Sequence, residues 1–290
     1  MEKTKLVRPV FYFIVPAYNA GQYLEQCLDS IASQSVKKKV IVVNDCSKDT
    51  TEDIAKKFLK YKDFVLIKNE NNIGVSLSRN KALDFVSNDK VEGQSFIGFV
   101  DGDDYIDNAC EIENCILETG ADVVLPKRVE FIESGTKNRK LSPEFNIDEE
   151  AVNKLPPHEF YAAVHEATED YILFNSFSIT NKDLIENAKI RFEDTLAEDV
   201  MFSTRVHMQA KNPKVCYDKP YYFYRMTDGT RSVSKLEELA KVHFEFSDNM
   251  IALKDRFPKY SRFLDLRSKE LLKNAAIITQ VSSKKLKLFD

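Results

Sequence analysis

The sequence predicts an α/β protein: a mainly parallel sheet flanked by helices, followed by a helical C-terminal extension. Three observations predict it. Short continuous apolar runs alternate with segments whose apolar residues recur at helical spacing. Strands alternating with helices imply right-handed crossovers, and hence parallel strands covered on both faces. Polar loops also follow the strand ends, the side on which such sheets bind ligands.

Val10-Phe11-Tyr12-Phe13-Ile14-Val15 is an unbroken apolar run closed by Pro16, as expected of a central strand. Leu24, Cys27, Leu28 and Ile31 then fall at helical spacing. Val40 to Val43 is a β-branched strand that ends in the turn-rich loop Asn44-Asp45-Cys46-Ser47-Lys48-Asp49. Asp49 with Glu52 reads as a capping box, opening a helix with Ile54, Ala55, Phe58 and Leu59 on its inner face. Phe64 to Ile67 is a third strand, followed by a helix carrying Leu77, Leu83 and Val86. Phe96 to Val100 is a fourth strand and Ala121 to Leu125 a fifth.

The pattern weakens from Pro126 to Pro157, where Arg128 to Phe131 and Lys137 to Leu141 read as a hairpin around Ser134-Gly135. Tyr161 to Leu184 reads as helical in parts, and Ala197 to Phe202 opens a helix with two acids in its first turn. Tyr221 to Tyr224 is strand-like, and amphipathic helices follow Leu236. The resulting division is 1–126, 127–235 and 236–290.

Bulk composition narrows the function. The 43% hydrophobic and 30% charged content of the 290 residues is that of an ordinary globular chain. A net charge of −4 gives no support to a nucleic-acid partner. Cys27, Cys46, Cys110, Cys115 and Cys216 form no CxxC pair and are odd in number, which predicts reduced thiols. No apolar run approaches membrane-spanning length, and Met1 to Pro9 lacks the apolar core of a signal peptide. The expected location is therefore cytoplasmic, with the inner face of the plasma membrane left open. Residues 236–290 hold 11 Lys or Arg against 8 Asp or Glu, which suits either a solvated helix face or peripheral membrane contact.

Three loops converge on one rim: Pro16 to Asn19, Asn44 to Asp49, and Asp101 to Asp104. In Asp101-Gly102-Asp103-Asp104, positions i and i+2 of an extended segment share a face. Carboxylates crowded there repel, so one takes a proton or a cation sits among them. A hard divalent ion suits one or two carboxylates plus phosphate oxygens. The same residues also make an ordinary Asp-Gly turn. The four histidines show no HxxxH or HExxH spacing, and His207, eight residues past Asp199, is either near a metal or structural.

Five segments in order resemble the family 2 glycosyltransferases. They are Phe13-Ile14-Val15-Pro16-Ala17-Tyr18-Asn19; Val43-Asn44-Asp45-Cys46-Ser47-Lys48-Asp49-Thr50; Asn72-Ile73-Gly74-Val75-Ser76-Leu77-Ser78-Arg79-Asn80; Asp101-Gly102-Asp103; and Glu198-Asp199 followed by Phe202. The resemblance implies a GT-A fold and an inverting transfer from a nucleotide sugar, uridine-linked by default. The acceptor would be a hydroxyl of a glycan or lipid-linked molecule in bacterial surface polysaccharide synthesis. Pro16, Ala17 and Tyr18 would line the nucleobase pocket, and Asp45 would accept from the base. Arg79 would lie near the nucleotide or diphosphate. Asp101 would contact ribose or metal, and Asp103 would hold Mg2+ or Mn2+. Asp199 would be the general base, with Glu198 orienting loop or acceptor. Arg225 or Arg231 would neutralise the leaving diphosphate. Residues 1–126 would then form the donor half, 127–235 the acceptor and base half, and 236–290 a helical extension.

The chain departs from the family pattern at Asn44, in place of the first acid, and at Cys46, in place of a glycine. Cys46 reads either as a reactive thiol or as a small packing residue. The rival functions are a sugar nucleotidyltransferase and a non-catalytic sugar-binding protein on the same fold. The first would need a glycine-rich phosphate loop, whereas the loop after the first strand has only Gly21. Retention of both Asp103 and Asp199 argues against the second.

Overall fold

The computed structural model describes residues 7–133, 139–140, 147–168, 178–216, 219–226 and 233–286. The first four apolar runs form β1 (Val10–Ala17), β2 (Lys38–Asn44), β3 (Phe64–Lys68) and β4 (Ser95–Phe99). Between them lie α1 (Leu24–Ala32), α2 (Thr51–Phe58) and α3 (Val75–Asn88). Every residue of β1 is buried, because it is the central strand between β2 and β4 and is covered on both faces.

The main sheet has seven strands in the order β10-β6-β9-β4-β1-β2-β3, where β6 is Val123–Pro126, β9 Ile179–Asn181 and β10 Pro213–Cys216. All neighbours pair in parallel except β9, which runs antiparallel to both β4 and β6. The expected parallel sheet is present. Within the stretch read as helical, α6 (Pro157–Thr168) and α7 (Lys182–Asn187) flank β9, a three-residue strand that periodicity cannot register.

A second sheet of order β5-β11-β7-β8 stands at the rim, from β5 (Tyr105–Ile106), β7 (Val129–Glu133), β8 (Arg139–Lys140) and β11 (Tyr222–Met226). β7 and β8 pair antiparallel as the predicted hairpin, while its turn at Ser134-Gly135 lies outside the described residues. The remaining helices are α4 (Ala109–Thr119), α5 (Glu149–Val152), α8 (Glu198–Gln209), α9 (Val233–Arg256) and α10 (Ser261–Leu286). α9 and α10 form an antiparallel pair whose core with α8 contains Met201, Met208, Phe246, Met250, Leu264 and Leu271. The extension is therefore packed onto the helix that begins with Glu198-Asp199.

Two local expectations need correction. Asp49 accepts from Thr51 N at 3.0 Å and Gly21 N at 2.9 Å, while Glu52 pairs with Lys56 and Lys68. Glu52 thus does not close a capping box, because two cations draw its side chain outward. Cys115 on α4 and Cys216 on β10 are joined by a disulfide, their Cα atoms 6.5 Å apart, so not all thiols are reduced. A separation of 101 residues gives no local signal of that pairing. Cys27, Cys46 and Cys110 are free.

Candidate active site

The rim is assembled by loops that fasten one another. The Asp45 amide donates to Ala17 O at 2.9 Å, continuing the β1–β2 ladder past its end. Asn19 N donates to Ser47 Oγ at 3.0 Å, and Lys48 N donates back to Asn19 Oδ1 at 2.8 Å. Pro16 and Ala17 are buried in this corner, while Tyr18 is 52% exposed and points its ring toward solvent beside them.

Asp45 is itself buried and heavily used. Its Oδ1 accepts from Asn69 Nδ2 and Ile73 N, both at 2.9 Å, and its Oδ2 accepts from Gly74 N at 2.8 Å. A carboxylate has about four acceptor positions, so three are spent holding the loop that leads into α3. Cys46 has φ 59°, a left-handed conformation that suits the glycine it replaces. The loop keeps a glycine-like backbone despite the substitution. The Cys46 thiol donates to Glu70 O at 3.3 Å, which ties it into the same loop.

The acidic loop follows β4. Gly102 permits a close approach: a Cβ there would meet Pro16 O at 3.2 Å and the Ala20 Cβ at 3.3 Å, so a side chain would push the loops apart by a few tenths of an ångström. Asp104 is buried, with Oδ2 accepting from Tyr222 Oη at 2.7 Å and Oδ1 from Arg225 N at 2.6 Å. Burial, then Asp101 and Asp103, push its pKa well above the usual carboxylate range. Arg225 donates from Nε to Asp103 O at 2.8 Å and from Nη2 to Gln26 Oε1 at 2.7 Å, with its guanidinium 4.4 Å from the Tyr23 ring. Arg225 therefore orders the acidic loop. Arg231 lies outside the described residues.

Asp103 differs from its neighbours. Its carboxylate is half-buried and pairs with no side chain among the described residues. Burial and then Asp101 raise its pKa. That residual negative charge is what a hard cation would satisfy. Among the described residues no group of three or more His, Cys, Asp or Glu side chains could hold a metal alone. A donor set of one carboxylate completed by diphosphate oxygens and water fits Mg2+ or Mn2+. Asp101 has its Oδ1 committed to Arg79, so Asp103 leads.

Arg79 is the hub of the site. Nη2 donates to Asp101 Oδ1 at 2.6 Å, and Nη1 donates to Glu198 Oε1 at 2.5 Å. Burial alone would lower its pKa, but the carboxylates of Asp101 and Glu198 outweigh that and raise it. The Phe192 ring lies 5.2 Å from the guanidinium and stacks on Phe202 of α8 at 3.9 Å. Asn80 adds a two-point clamp, donating to Phe192 O at 2.9 Å and accepting from Phe192 N at 2.8 Å. The consecutive residues Arg79 and Asn80 thus fasten α3 to the segment that delivers α8.

Asp199 occupies the first turn of α8, half-buried. Burial and then Glu198 push its pKa up to about 6, against the opposing pull of Arg79 and Arg267. The preceding Ala197 has φ 60°, turning the chain sharply into the helix. The Glu198–Arg79–Asp101 bridge thus holds Asp199 in register with the acidic loop. His207 is wholly buried, its ring 4.3 Å from that of Tyr161, and so is structural. Three residues of the site carry no sequence signal of their role: Tyr222, which donates to Asp104; Asn69, which holds Asp45; and Arg267. Tyr222 falls in the aromatic strand, but its hydrogen bond spans 118 residues.

The chain is similar over 222 residues, at 27% identity, to the uncharacterized glycosyltransferase EpsJ of Bacillus subtilis, covering 75% of this chain and 61% of that one. It is 29% identical over 231 residues to the poly(ribitol-phosphate) beta-N-acetylglucosaminyltransferase TarS of Staphylococcus aureus, covering 76% of this chain and 36% of that one. It thus spans less than two thirds of either relative. The crystal structure of S. aureus TarS 1–349 in complex with UDP-GlcNAc superposes with a TM-score of 0.64 at 26% identity, covering 88% and 72% of the two chains. Residues 12–187, more than half of the chain and including four of the five motif segments, match the pattern described as Glycosyl transferase family 2. With its parallel sheet, acidic loop and the later acidic pair in place, the chain belongs to glycosyl transferase family 2, on a GT-A fold.

Proposed function

We propose that the protein is an inverting glycosyltransferase. It moves a hexosyl or hexosaminyl group from a uridine-linked sugar to a hydroxyl of a glycan or lipid-linked acceptor in bacterial surface polysaccharide synthesis. The observation that carries this reading is the placement of Asp199. A carboxylate with a pKa near 6 is ionised at neutral pH and still basic enough to take a proton. It is braced through Glu198 and Arg79 to the loop that holds Asp103. The name of the TarS relative and its complex with UDP-GlcNAc support the donor and acceptor classes.

Residues 1–126 form the donor half. Tyr18 lies over the nucleobase beside Pro16 and Ala17, and the remaining acceptor position of Asp45 meets a base N–H. Asp101, held by Arg79, meets the ribose. Asp103 would hold Mg2+ or Mn2+, which would supply charge screening for the leaving diphosphate. Asp199, from the acceptor half 127–235, removes the proton of the attacking hydroxyl. Attack opposite the leaving group inverts the anomeric configuration, through a transition state of oxocarbenium character. No helix is long and apolar enough to cross a membrane, among the described residues. Exposed Phe244, Ile251, Leu272, Ile277 and Val281 on the α9–α10 pair support peripheral contact with the inner membrane face.

The test is thermal stabilisation by a panel of nucleotide sugars with Mn2+, followed by release of nucleoside diphosphate from the best ligand. A ligand bound only to the folded state raises Tm. Stabilisation by uridine-linked sugars that depends on Mn2+, with slow UDP release, is expected. Stabilisation without any release would favour a sugar-binding protein.

A further inference from the structure

Arg267 belongs to the extension, yet it is the largest wholly buried side chain among the described residues, at 1% exposure. It extends from α10 to α8, where Nη2 donates to Val200 O at 3.3 Å and to Ser203 Oγ at 3.2 Å. Ser203 is four residues after Asp199, so the two share one face of α8 a single turn apart. A Cα–Cβ bond in a helix tilts toward the N-terminus, so Ser203 aims its hydroxyl at the turn that contains Asp199. Arg267 is thereby held against the end of the helix on which the base sits.

We propose that Arg267 is a positioning residue for Asp199: its guanidinium fixes the first turn of α8 and places a permanent positive charge near the base. The C-terminal helical pair is then part of the catalytic apparatus. The inference rests on the reading of Asp199 as the general base.

The packing around Arg267 restrains it. Ser268 and Ser247 share a hydroxyl hydrogen bond of 2.8 Å between α10 and α9, and Lys254 pairs with Asp265 at 2.5 Å. Leu264 and Leu271, one turn to either side, are buried in the same cluster as Val200 and Met201. A guanidinium carries its charge at every working pH, and its fork holds geometry that an ammonium cannot.

Among the described residues, the charged groups that act most strongly on Asp199 are Glu198 on its own helix, Arg79 from α3 and Arg267 from α10. Glu198 raises the Asp199 pKa while the two arginines lower it. Arg79 is divided between Asp101 and Glu198, both carboxylates with work of their own. Arg267 instead reaches α8 through Val200 O and Ser203 Oγ, within one turn of Asp199. His207 does not add a titrating charge there, since burial and then Arg267 hold it neutral. The cation from α10 therefore joins Arg79 in opposing the rise that burial and Glu198 impose on Asp199.

The experiment uses the full chain labelled with 13C at aspartate carboxyls, with the Asp199 resonance assigned by its loss in Asp199→Asn. Removing the cation in Arg267→Gln should raise the titration midpoint of Asp199 by about half a unit to one unit. The acid limb of UDP release from UDP-GlcNAc with Mn2+ should move upward by the same amount. Arg267→Lys should return the midpoint most of the way, while leaving kcat reduced because the fork is lost. An Asp199 that titrates at the same pH in Arg267→Gln overturns the proposal. If circular dichroism shows Arg267→Gln unfolded, Ser203→Ala removes one of its anchors and should shift the midpoint in the same direction by less. No shift in that variant also overturns it. The base assignment fails separately, if Asp199→Asn releases UDP at the normal rate.

Discussion

Arg79→Met is expected to lower stability by about 3 kcal/mol. The Arg79 side chain is 4% exposed and bonds to Asp101 at 2.6 Å and to Glu198 at 2.5 Å. Methionine fills most of the volume, so packing against Phe192 largely survives, and the loss is electrostatic. Deleting one partner of a buried pair costs about 3–5 kcal/mol, because the other charge is left uncompensated. Asp101 is 28% exposed and Glu198 16%, so water recovers part of that loss and the lower end applies. A change of about 3 kcal/mol is a large share of the roughly 5–15 kcal/mol that holds a domain folded. Urea unfolding measures it, with the m-value as a check that the unfolded state has not changed. Glu198→Gln should cost less, since the amide oxygen still accepts from Nη1. In the double variant the two losses should add to less than their sum. A loss below about 1 kcal/mol for Arg79→Met, at unchanged m, would refute the bridge as the tie between α3, the acidic loop and α8, since that is the worth of an exposed pair.

Other outcomes follow from the rim. Asp103→Ala should abolish the enhancement of UDP binding by Mn2+ while leaving Tm nearly unchanged, which calorimetry with and without metal would read. Asp45→Ala should both weaken UDP binding by on the order of tenfold and lower stability, because the amides of Ile73 and Gly74 lose a charged acceptor worth about 1.5–3 kcal/mol. Loss of stability with intact UDP affinity would assign Asp45 to the loop alone. Cys46→Val should destabilise by about 1–3 kcal/mol, since a β-branched residue resists φ 59°, whereas Cys46→Gly should be neutral or stabilising. Equal melting temperatures for the two variants would mean that this conformation carries no cost.

Much of the architecture was legible because buried parallel strands need continuous apolar runs. Val10 to Val15 and Val40 to Val43 could hardly be anything else, and the rim loops follow from where those runs stop. β9 was hidden because three residues, Ile179–Asn181, are too few for any period, and its antiparallel insertion between β4 and β6 depends on the whole fold. Arg79 could be read as an ordinary surface ion pair, since its partners lie 22 and 119 residues away. Arg267 is one of 11 cations in a stretch that reads as a solvated helix, and only the packing of α10 on α8 separates it from the rest. Cys46 shows the limit from the other side: the sequence raises doubt about the loop, and the backbone keeps the glycine-like conformation all the same.

The most direct test of the whole account is the pH dependence of UDP release from UDP-GlcNAc with Mn2+, in the natural chain and in Asp199→Asn. In the natural chain the rate should be level near neutral pH and fall about tenfold per unit below pH of about 6, as the base takes up its proton. In Asp199→Asn the rate at neutral pH should fall roughly 100- to 10,000-fold, the range for a lost general base, and the acid limb should vanish. UDP affinity should stay as it was. An Asp199→Asn variant that turns over at a near-normal rate, with the acid limb intact, would contradict the assignment of Asp199 and the mechanism built on it.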